Sequence, residues 1–375
     1  MIVRGLDATN FRNIKRASLT FSETFNLITG LNAQGKTNLI EAIHFFSLGR
    51  SFRTRRADDA IMFGEEYSFL RLHGRSDLGV EFRIEVGMDR GGRVKASVDG
   101  KRLGGLSEII GIVPTVIFTP DDVSLASGPP RRRRLYLDYT TAQISPAFLG
   151  DIKEYRKILK QRNSLLRDSA ELGIENDEID SWNDMLARRG ASIVRGREKT
   201  LSEIAKRAGA LYREILPGGD ELKISYVCSF NPEGKDPEEA LREALVKVKE
   251  SEKRRGYTLA GPHYDDISVF LGSSGLRRYG SQGRKRLTAI VLKLTQAAII
   301  MKRRRERPVV LLDDIFSELD NETAARVREL LSDTYQSFIT SPRPEDFRLG
   351  AEGAAYFRVE KGQFTVIEDP MSGHQ

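Results

Sequence analysis

The N-terminal part of the chain has the hydrophobic pattern of β-structure. Ile2–Leu6 alternates between apolar and polar residues, and Ala17–Phe21 repeats the alternation, which predicts strands. Thr24–Thr29 is a mostly apolar run with the length of a buried strand. It is followed by a glycine-containing loop and by Asn38–Ile43, whose pattern predicts a helix. The chain therefore passes from strands through a loop into a helix.

Further strands are predicted before residue 120. Residues 67–98 contain several strand patterns, among them Phe82–Val86, with a turn at Asp99–Gly100. Thr115–Phe118 predicts another buried strand, which Pro120 ends. This first third of the sequence is therefore expected to be rich in β-structure.

From about residue 130 the pattern becomes helical. Glu154–Arg167 and Trp182–Leu216 are charged segments of helical period, with a turn expected around Gly173. At a rise of about 1.5 Å per residue they would extend roughly 20 Å and roughly 50 Å. They are predicted to pack as an antiparallel pair, which forms an arm.

The last third returns to mixed structure. Ile224–Val227 predicts a strand, and Pro237 begins a helix. Leu287–Ala298 has a continuous apolar face at helical spacing, and Pro308–Asp314 reads as a buried strand that ends in two acids. Strands therefore flank the helical region on both sides, which is typical of an α/β protein with an insertion.

Composition indicates a soluble globular protein with a polyanionic partner. Of 375 residues, 39% are hydrophobic and 30% are charged, and the net charge is +7. The positive charge is concentrated in three runs: Arg131–Arg134, Lys253–Arg255 and Lys302–Arg305. Such runs favour nucleic acid as the partner, although a solvated surface is the alternative for each of them.

Cysteine and histidine usage restricts the chemistry. The single cysteine, Cys228, excludes intramolecular disulfides and a thiolate zinc cluster, and only four histidines are present. Met1–Asp7 carries charges where a signal peptide needs an apolar segment. A cytoplasmic location is expected.

The loop after the first buried strand has the spacing of a phosphate-binding loop, with Gly30, Gly35, Lys36 and Thr37 at the required positions. Glycines allow backbone N–H groups to turn towards phosphate oxygens, and the helix N-terminus adds a positive dipole end. Lys36 is predicted to reach the β- and γ-phosphates, and Thr37 to hold Mg²⁺. The residues predicted to bind the nucleotide are Gly30, Leu31, Asn32, Ala33, Gln34, Gly35, Lys36, Thr37 and Asn38.

The acidic pair at Asp313 and Asp314 has the form of a Walker B motif. A buried strand would place these acids at its carboxyl end, beside the strand of the phosphate loop. Asp313 is predicted to orient Mg²⁺, and Asp314 to polarise the attacking water. The predicted catalytic residues are thus these acids and Lys36. Since most of the chain separates Lys36 from Asp313, a large segment must be inserted between them.

Two further segments fit an ABC-type ATPase. Ser281, Gln282 and Gly283 precede a strong helix, as an ABC signature does, and Ser317–Asp320 follows the acids as a D-loop would. A signature acts on nucleotide held by a second subunit, so ATP would bridge a dimer. The alternative for Ser281 is an ordinary helix N-cap.

Taken together, the motifs resemble the RecF family of bacterial recombination-mediator ATPases, which are related to the structural-maintenance-of-chromosomes class. The similarity runs nearly end to end and rests on these segments: Asn10–Asn13, Gly30–Asn38, Gly49–Thr54, Phe118–Asp122, Gly128–Pro130 with the arginines, Leu137–Asp138, Gln161–Asn163, Gly261–His263, Ser281–Gly283 and Leu311–Asp320.

The resemblance implies an α/β, ABC-type P-loop ATPase head with an inserted helical arm. The expected division is residues 1–120 and 257–375 for the two halves of the head, and residues 121–256 for the arm. Arg12, in the first shared segment, is implied to contact the nucleotide, and Arg131, Arg132, Arg133 and Arg134 are the first candidates for DNA contact. Helical period spreads these four arginines around a helix, so one or two are expected to pair with internal carboxylates.

The family further implies ATP-dependent dimerisation on duplex DNA near single-strand gaps, weak ATP hydrolysis and cooperation with RecR and RecO. ATP and Mg²⁺ are the implied cofactors. The alternatives are a transporter ATPase subunit, which shares only the nucleotide motifs, and a nuclease with a similar head, which needs an additional acidic metal-binding domain. The chain departs from the family pattern at Tyr264 and at Arg284–Lys285, which follow two of the shared motifs.

Overall fold

Strands are found where apolar residues alternate or form short runs, and helices where apolar residues recur at helical spacing. The structure is a computed structural model that describes residues 1–54, 56–172, 178–316, 319–332, 334–343 and 353–368. The strands of this part of the chain are β1 (Ile2–Phe11), β2 (Ile14–Thr20), β3 (Phe25–Thr29), β4 (Tyr67–Arg75), β5 (Glu81–Asp89), β6 (Val94–Val98), β7 (Lys101–Arg102), β8 (Thr115–Phe118), β9 (Leu222–Val227), β10 (Asp266–Leu271), β11 (Ser274–Gly275), β12 (Val309–Asp313), β13 (Ser337–Ser341), β14 (Ala355–Glu360) and β15 (Gln363–Ile367). The α-helices are α1 (Lys36–Leu48), α2 (Ser124–Ser127), α3 (Pro130–Ile144), α4 (Pro146–Leu172), α5 (Glu178–Ile215), α6 (Pro237–Arg255), α7 (Leu276–Tyr279), α8 (Gln282–Arg304) and α9 (Asn321–Ser332).

The chain divides into two units. The first comprises Met1–Asp122 and Ile290–Gln375, and the second comprises Val123–Ala289. The first unit is therefore made from both ends of the chain, and the second is one continuous segment. An α/β head interrupted by an insertion has this form.

The first unit contains two six-stranded sheets. The antiparallel sheet has the order β2-β1-β4-β5-β6-β7, and the mainly parallel sheet has the order β15-β14-β3-β13-β12-β8. Leu311 of β12 pairs with Ile117 and Phe338 on its two sides. The strand of the Walker B motif was expected beside β3, but β13 lies between them. Strand order depends on long-range pairing, which a local pattern does not reveal.

Helix α1 is buried against both sheets of the first unit, since it contacts β1 and β4 of one and β8, β12 and β13 of the other. Leu39, Ile43, Phe45 and Phe46 are fully buried. A helix that is buried nearly all round occupies a core position. The end of α1 that carries the phosphate loop is thus fixed by the core of the unit.

The second unit is mainly helical. Helices α4 and α5 are antiparallel, because Arg162 contacts Asn183 while Arg189, farther along α5, contacts Asp151, earlier in α4. Helix α6 packs against both. Arg162 forms a buried ion pair with Glu252 of α6 at 2.5 Å. The predicted pair of helices is confirmed.

The two long helices extend farther than predicted. They have 27 and 38 residues, or roughly 40 Å and 57 Å at the standard rise. The first was expected to begin at Glu154, but it begins at Pro146, because Phe148 and Ile152 continue its buried face and proline is favourable in a first helical turn.

The boundary expected at residue 256 does not coincide with the end of the second unit. Residues 257–289 group with that unit because β10 pairs with β9 along its whole length, from Asp266 opposite Val227 to Leu271 opposite Leu222. The turn expected around Gly173 and the first two residues of the D-loop segment, Ser317 and Glu318, lie outside the described residues. Within the described chain, no helix combines the length and the apolar character that a membrane span requires.

Candidate nucleotide site

The phosphate loop connects β3 to α1 and depends on backbone that glycine permits. Gly30 has φ +153° and Gly35 has φ +123°. A Cβ at Gly30 would collide with the carbonyl oxygen of Val359, and one at Gly35 would lie 2.8 Å from Oδ1 of Asn13. Both glycines are therefore required by the left-handed backbone and by close neighbours.

The loop is supported from two sides. Asn13 donates from Nδ2 to the carbonyl oxygen of Gln34 at 2.9 Å and accepts from Nδ2 of Asn38 at 2.7 Å. The turn between β14 and β15 also contributes, since the backbone N–H of Gly362 donates to the same Gln34 oxygen at 2.8 Å. These hydrogen bonds from other parts of the first unit stabilise the conformation of the loop.

Lys36 lies over the loop. Its Nζ donates to the carbonyl oxygens of Gly30 at 2.6 Å and Leu31 at 3.0 Å. Burial lowers the pKa of Lys36, while the carboxylates of Asp314 and Asp313 act in the opposite direction. A lysine held at the mouth of a loop of backbone N–H groups is suited to receive phosphate.

Thr37 and Asp313 converge in the first unit. The Thr37 hydroxyl lies 2.9 Å from each carboxylate oxygen of Asp313, and the Thr340 hydroxyl donates to Oδ1 at 2.8 Å. Burial raises the pKa of Asp313, and the two threonine hydrogen bonds partly offset this effect. A hydroxyl beside a carboxylate is the donor set that Mg²⁺ prefers, so these two residues fit the cation.

Asp314 has an unusual backbone conformation. Its φ is +50°, which costs free energy for a residue with a Cβ. Its N–H donates to the hydroxyl of Thr340 at 3.0 Å. The Thr340 hydroxyl thus contacts both acids, since it donates a hydrogen bond to Asp313 and accepts one from the backbone of Asp314.

Arg12 is held by the side chain of Glu41. Nε of Arg12 lies 3.1 Å and 3.2 Å from the two carboxylate oxygens. Its Nη2 donates to the Ser51 hydroxyl at 3.3 Å, and its Nη1 donates to the carbonyl oxygen of Asp59 at 2.6 Å. Glu41 is fully buried in α1. Arg53 approaches the same carboxylate at 3.4 Å. Arg12, which the resemblance implies to contact the nucleotide, is therefore held in place by its ion pair with Glu41 of α1.

The predicted signature residues belong to the second unit. Ser281, Gln282 and Gly283 are exposed at the start of α8, and the Ser281 hydroxyl accepts from the N–H of Arg284 at 3.4 Å. A Cβ at Gly283 would have no neighbour within 4 Å. Packing within the described chain therefore does not require glycine at this position.

The four consecutive arginines separate into two kinds. Arg133 is buried and forms a two-point ion pair with Asp266, at 2.7 Å and 2.8 Å. Arg134 donates to the carbonyl oxygen of Asp265 at 2.7 Å. Arg131 and Arg132 are exposed. The expected internal pairing of one or two arginines is confirmed, and it removes Arg133 from the candidates for DNA contact.

Comparison with known proteins extends the resemblance to the whole chain. The family model described as "RecF/RecN/SMC N terminal domain" matches residues 2–365. A protein of Shouchella clausii described as "DNA replication and repair protein RecF" is 33% identical over 98% of this chain and 100% of its own length. One of the same description from Caldanaerobacter subterraneus is 36% identical over 96% of this chain and 99% of its own length.

The chain belongs to the RecF family. A solved structure described as "Structure of the recombination mediator protein RecF-ATP in RecFOR pathway" matches with a TM-score of 0.90 and 34% identity, over 98% of both chains. An Smc head bound to a ScpA domain matches with a TM-score of 0.59 and 20% identity, covering 98% of this chain and 97% of that one. The fold is therefore that of an ABC-type ATPase head. The RecF match covers more than the nucleotide motifs, which sets aside the transporter subunit.

Some residues of the RecF-type site were missed by sequence reasoning. Glu41 and Thr340 form direct bonds to predicted site residues, and Asn13 holds the loop. Asn13 belongs to a segment that supported the resemblance, so its signal was present. Glu41 and Thr340 carry no spacing signature, because their partners come from distant parts of the chain.

Proposed function

We propose that this chain is an ATP-dependent DNA-binding protein of recombinational repair and replication restart. In this proposal it dimerises on ATP, binds duplex DNA near single-strand gaps and helps to load recombinase with RecO and RecR. It acts in the cytoplasm as a weak, DNA-stimulated ATPase that works as a switch. The observation that carries the proposal is the convergence of Lys36, Thr37 and Asp313 on one loop.

The nucleotide would be held mainly by backbone. Loop N–H groups and the α1 N-terminus suit phosphate oxygens, Lys36 adds a positive charge, and Thr37 with Asp313 would hold Mg²⁺. Mg²⁺ supplies neutralisation of charge on the phosphates. Asp314 would orient water, and its short side chain on a left-handed backbone supports slow turnover.

The dimer is supported by the exposed start of α8. Ser281 and Gly283 are exposed, and Gly283 has open space where a side chain would stand. A hydroxyl, a helix N-terminus and an unobstructed glycine together suit close approach to a phosphate group. We infer that they complete the nucleotide site of a second copy.

DNA contact is assigned to phosphate-binding cations, without base reading. Arg131 and Arg132 are exposed at the start of α3, where arginine side chains are able to reach a DNA backbone. Contacts of this kind carry little sequence information and weaken steeply with salt. We therefore expect a preference for DNA structure more than for sequence.

The first test is fluorescence anisotropy with gapped, duplex and single-stranded DNA in ATP, ADP or no nucleotide across a salt series. The wild-type protein should bind duplex DNA only with ATP, and Lys36→Ala should lose this ATP-dependent binding. Lys223→Ala, which removes an exposed lysine paired with Glu221, is the matched control. Full ATP-dependent binding by Lys36→Ala would refute the proposal.

A further inference from the structure

The outer face of the antiparallel sheet carries a groove that the proposed nucleotide chemistry does not use. It has a volume of about 320 Å³, and the residues that line it include Tyr67, Phe69, Gly87, Asp89, Arg93 and Lys95. The opposite face of the same strands packs into the core through Leu70, Val86 and Ala96. We call this feature the Gly87 groove.

The strand register explains why a groove forms. Gly87 of β5 pairs with Phe69 of β4 on one side and with Lys95 of β6 on the other. These three residues therefore lie in one row across the sheet, and the Cα atoms of Phe69 and Lys95 are two strand spacings, or about 10 Å, apart. A Cβ at Gly87 would meet nothing within 4 Å. The missing side chain leaves the floor of the groove open.

The aromatic wall has an exposed surface. Tyr67 is 55% exposed, and it lies two residues before Phe69 on the same face of β4. The guanidinium of Arg71 lies 5.4 Å from the centre of the Phe69 ring. Aromatic rings on the outer face of a sheet are the surfaces on which unpaired nucleobases stack.

The opposite wall supplies positive charge. Asp89 also lines the groove, but its carboxylate is engaged by Nε of Arg93 at 2.9 Å and by the backbone N–H of Arg93 at 3.0 Å. Lys95 is exposed and forms no ion pair with any described residue. Arg102 pairs with Ser97 on the same face, so a second exposed cation continues the line along β6 and β7.

We propose that the Gly87 groove binds a nucleotide of single-stranded DNA, with the base against Tyr67 and Phe69 and the phosphate at Lys95. A flat aromatic group next to an anion is what this combination of walls would recognise. A duplex hides its bases within the stack, so the site selects a strand whose bases are free. The inference goes beyond the proposed function, with which it shares only DNA as the ligand.

The test uses the full-length protein without nucleotide and a fluorescein-labelled dT12 oligonucleotide. Gly87→Leu should fill the groove and weaken dT12 binding roughly tenfold, and Lys95→Glu should do the same. Thr20→Leu and Lys15→Glu, at exposed positions of β2 in the same sheet, are the matched controls. Both should bind dT12 within about twofold of the wild-type protein.

A photocrosslink identifies the contact directly. One thymine of the oligonucleotide is replaced with 5-iodouracil, and the irradiated complex is analysed by mass spectrometry. The crosslink should be found at Tyr67 or Phe69, and Gly87→Leu should abolish it. ATP-dependent duplex binding, measured in parallel, should be unchanged in Gly87→Leu. That second measurement reports on the proposed function separately.

Three results would overturn the inference. The first is a wild-type protein that does not bind dT12, and the second is dT12 binding unaffected by both groove variants. The third is an equal loss in Lys95→Glu and Lys15→Glu with no effect of Gly87→Leu, which indicates a general basic surface. None of these results would bear on ATP-gated duplex binding.

Discussion

At the residue scale, His44 of the buried helix α1 makes the stability of the protein depend on pH. Its Nδ1 lies 2.7 Å from the hydroxyl of Thr115 inside the first unit. Burial, with the nearby cations Lys293 and Arg50, lowers the pKa of His44 from 6.5 to about 3. His44 therefore stays neutral in the folded protein at pH values at which it is protonated in the unfolded chain.

The sign of the effect follows from this difference. Because the folded-state pKa is depressed, the stabilisation is complete above pH 6.5 and is lost as the pH falls towards 3. Between pH 6 and pH 4 one such histidine removes up to about 1.4 kcal/mol per pH unit. His44→Gln should make the fall in urea midpoint over this range shallower, while His73→Gln, at an exposed position on β4, should not.

The predicted site residues illustrate what short-range spacing reveals. Lys36 and Thr37 follow from the loop pattern, since each function depends on neighbours within a few residues. Glu41 is different, because its charge is offset by Arg12, which lies in the turn between β1 and β2, well before the loop. No sequence pattern indicates that Arg12 and Glu41 form an ion pair, because the fold alone brings them together.

Helix α3 shows at the element scale why a run of equal charges has unequal roles. Arg133→Ala would leave Asp266 without its two-point partner, and we expect a loss of about 2 kcal/mol in the free energy of unfolding. This lies below the usual cost for a fully buried pair, since Asp266 is 27% exposed. Chemical denaturation measures the change.

The neighbouring variant Arg131→Ala should have the reverse profile. We expect unchanged unfolding, weaker ATP-dependent DNA binding and a salt slope smaller by about 1, as the loss of one phosphate contact requires. Equal stability losses in the two variants would contradict the separation of roles. So would unchanged DNA binding in Arg131→Ala.

The elements themselves were largely predictable. The strand expected at Thr24–Thr29 is β3 (Phe25–Thr29), and the helix expected at Trp182–Leu216 is α5 (Glu178–Ile215). Both have a strong local period. The limits of α4 and the pairing of β10 with β9 were missed, because they depend on packing partners that are distant in the sequence.

The signature residues make their prediction at the scale of the whole molecule. Ser281→Arg should leave ATP binding intact and prevent the ATP-dependent dimer, because a long charged side chain would occupy the surface that approaches a second copy. Sedimentation velocity with and without ATP measures the dimer. Ser273→Arg, at an exposed turn of the same unit, is the control.

An unchanged dimer in Ser281→Arg would remove this residue from the interface. Loss of the dimer in both variants would indicate that added charge alone prevents association. Loss in Ser281→Arg alone, with nucleotide still bound, supports a site shared between two copies.

The order of strands in the parallel sheet has a consequence for biosynthesis. β3 lies between β13 and β14, so the strand that leads into the phosphate loop receives its neighbours only after residues 337–360 leave the ribosome. The second unit is one uninterrupted segment that precedes those residues, and domains generally fold as they emerge. Nascent chains would thus carry the folded second unit while the strand of the nucleotide loop still lacks its neighbours, which postpones ATP binding until residues 337–360 have been synthesised.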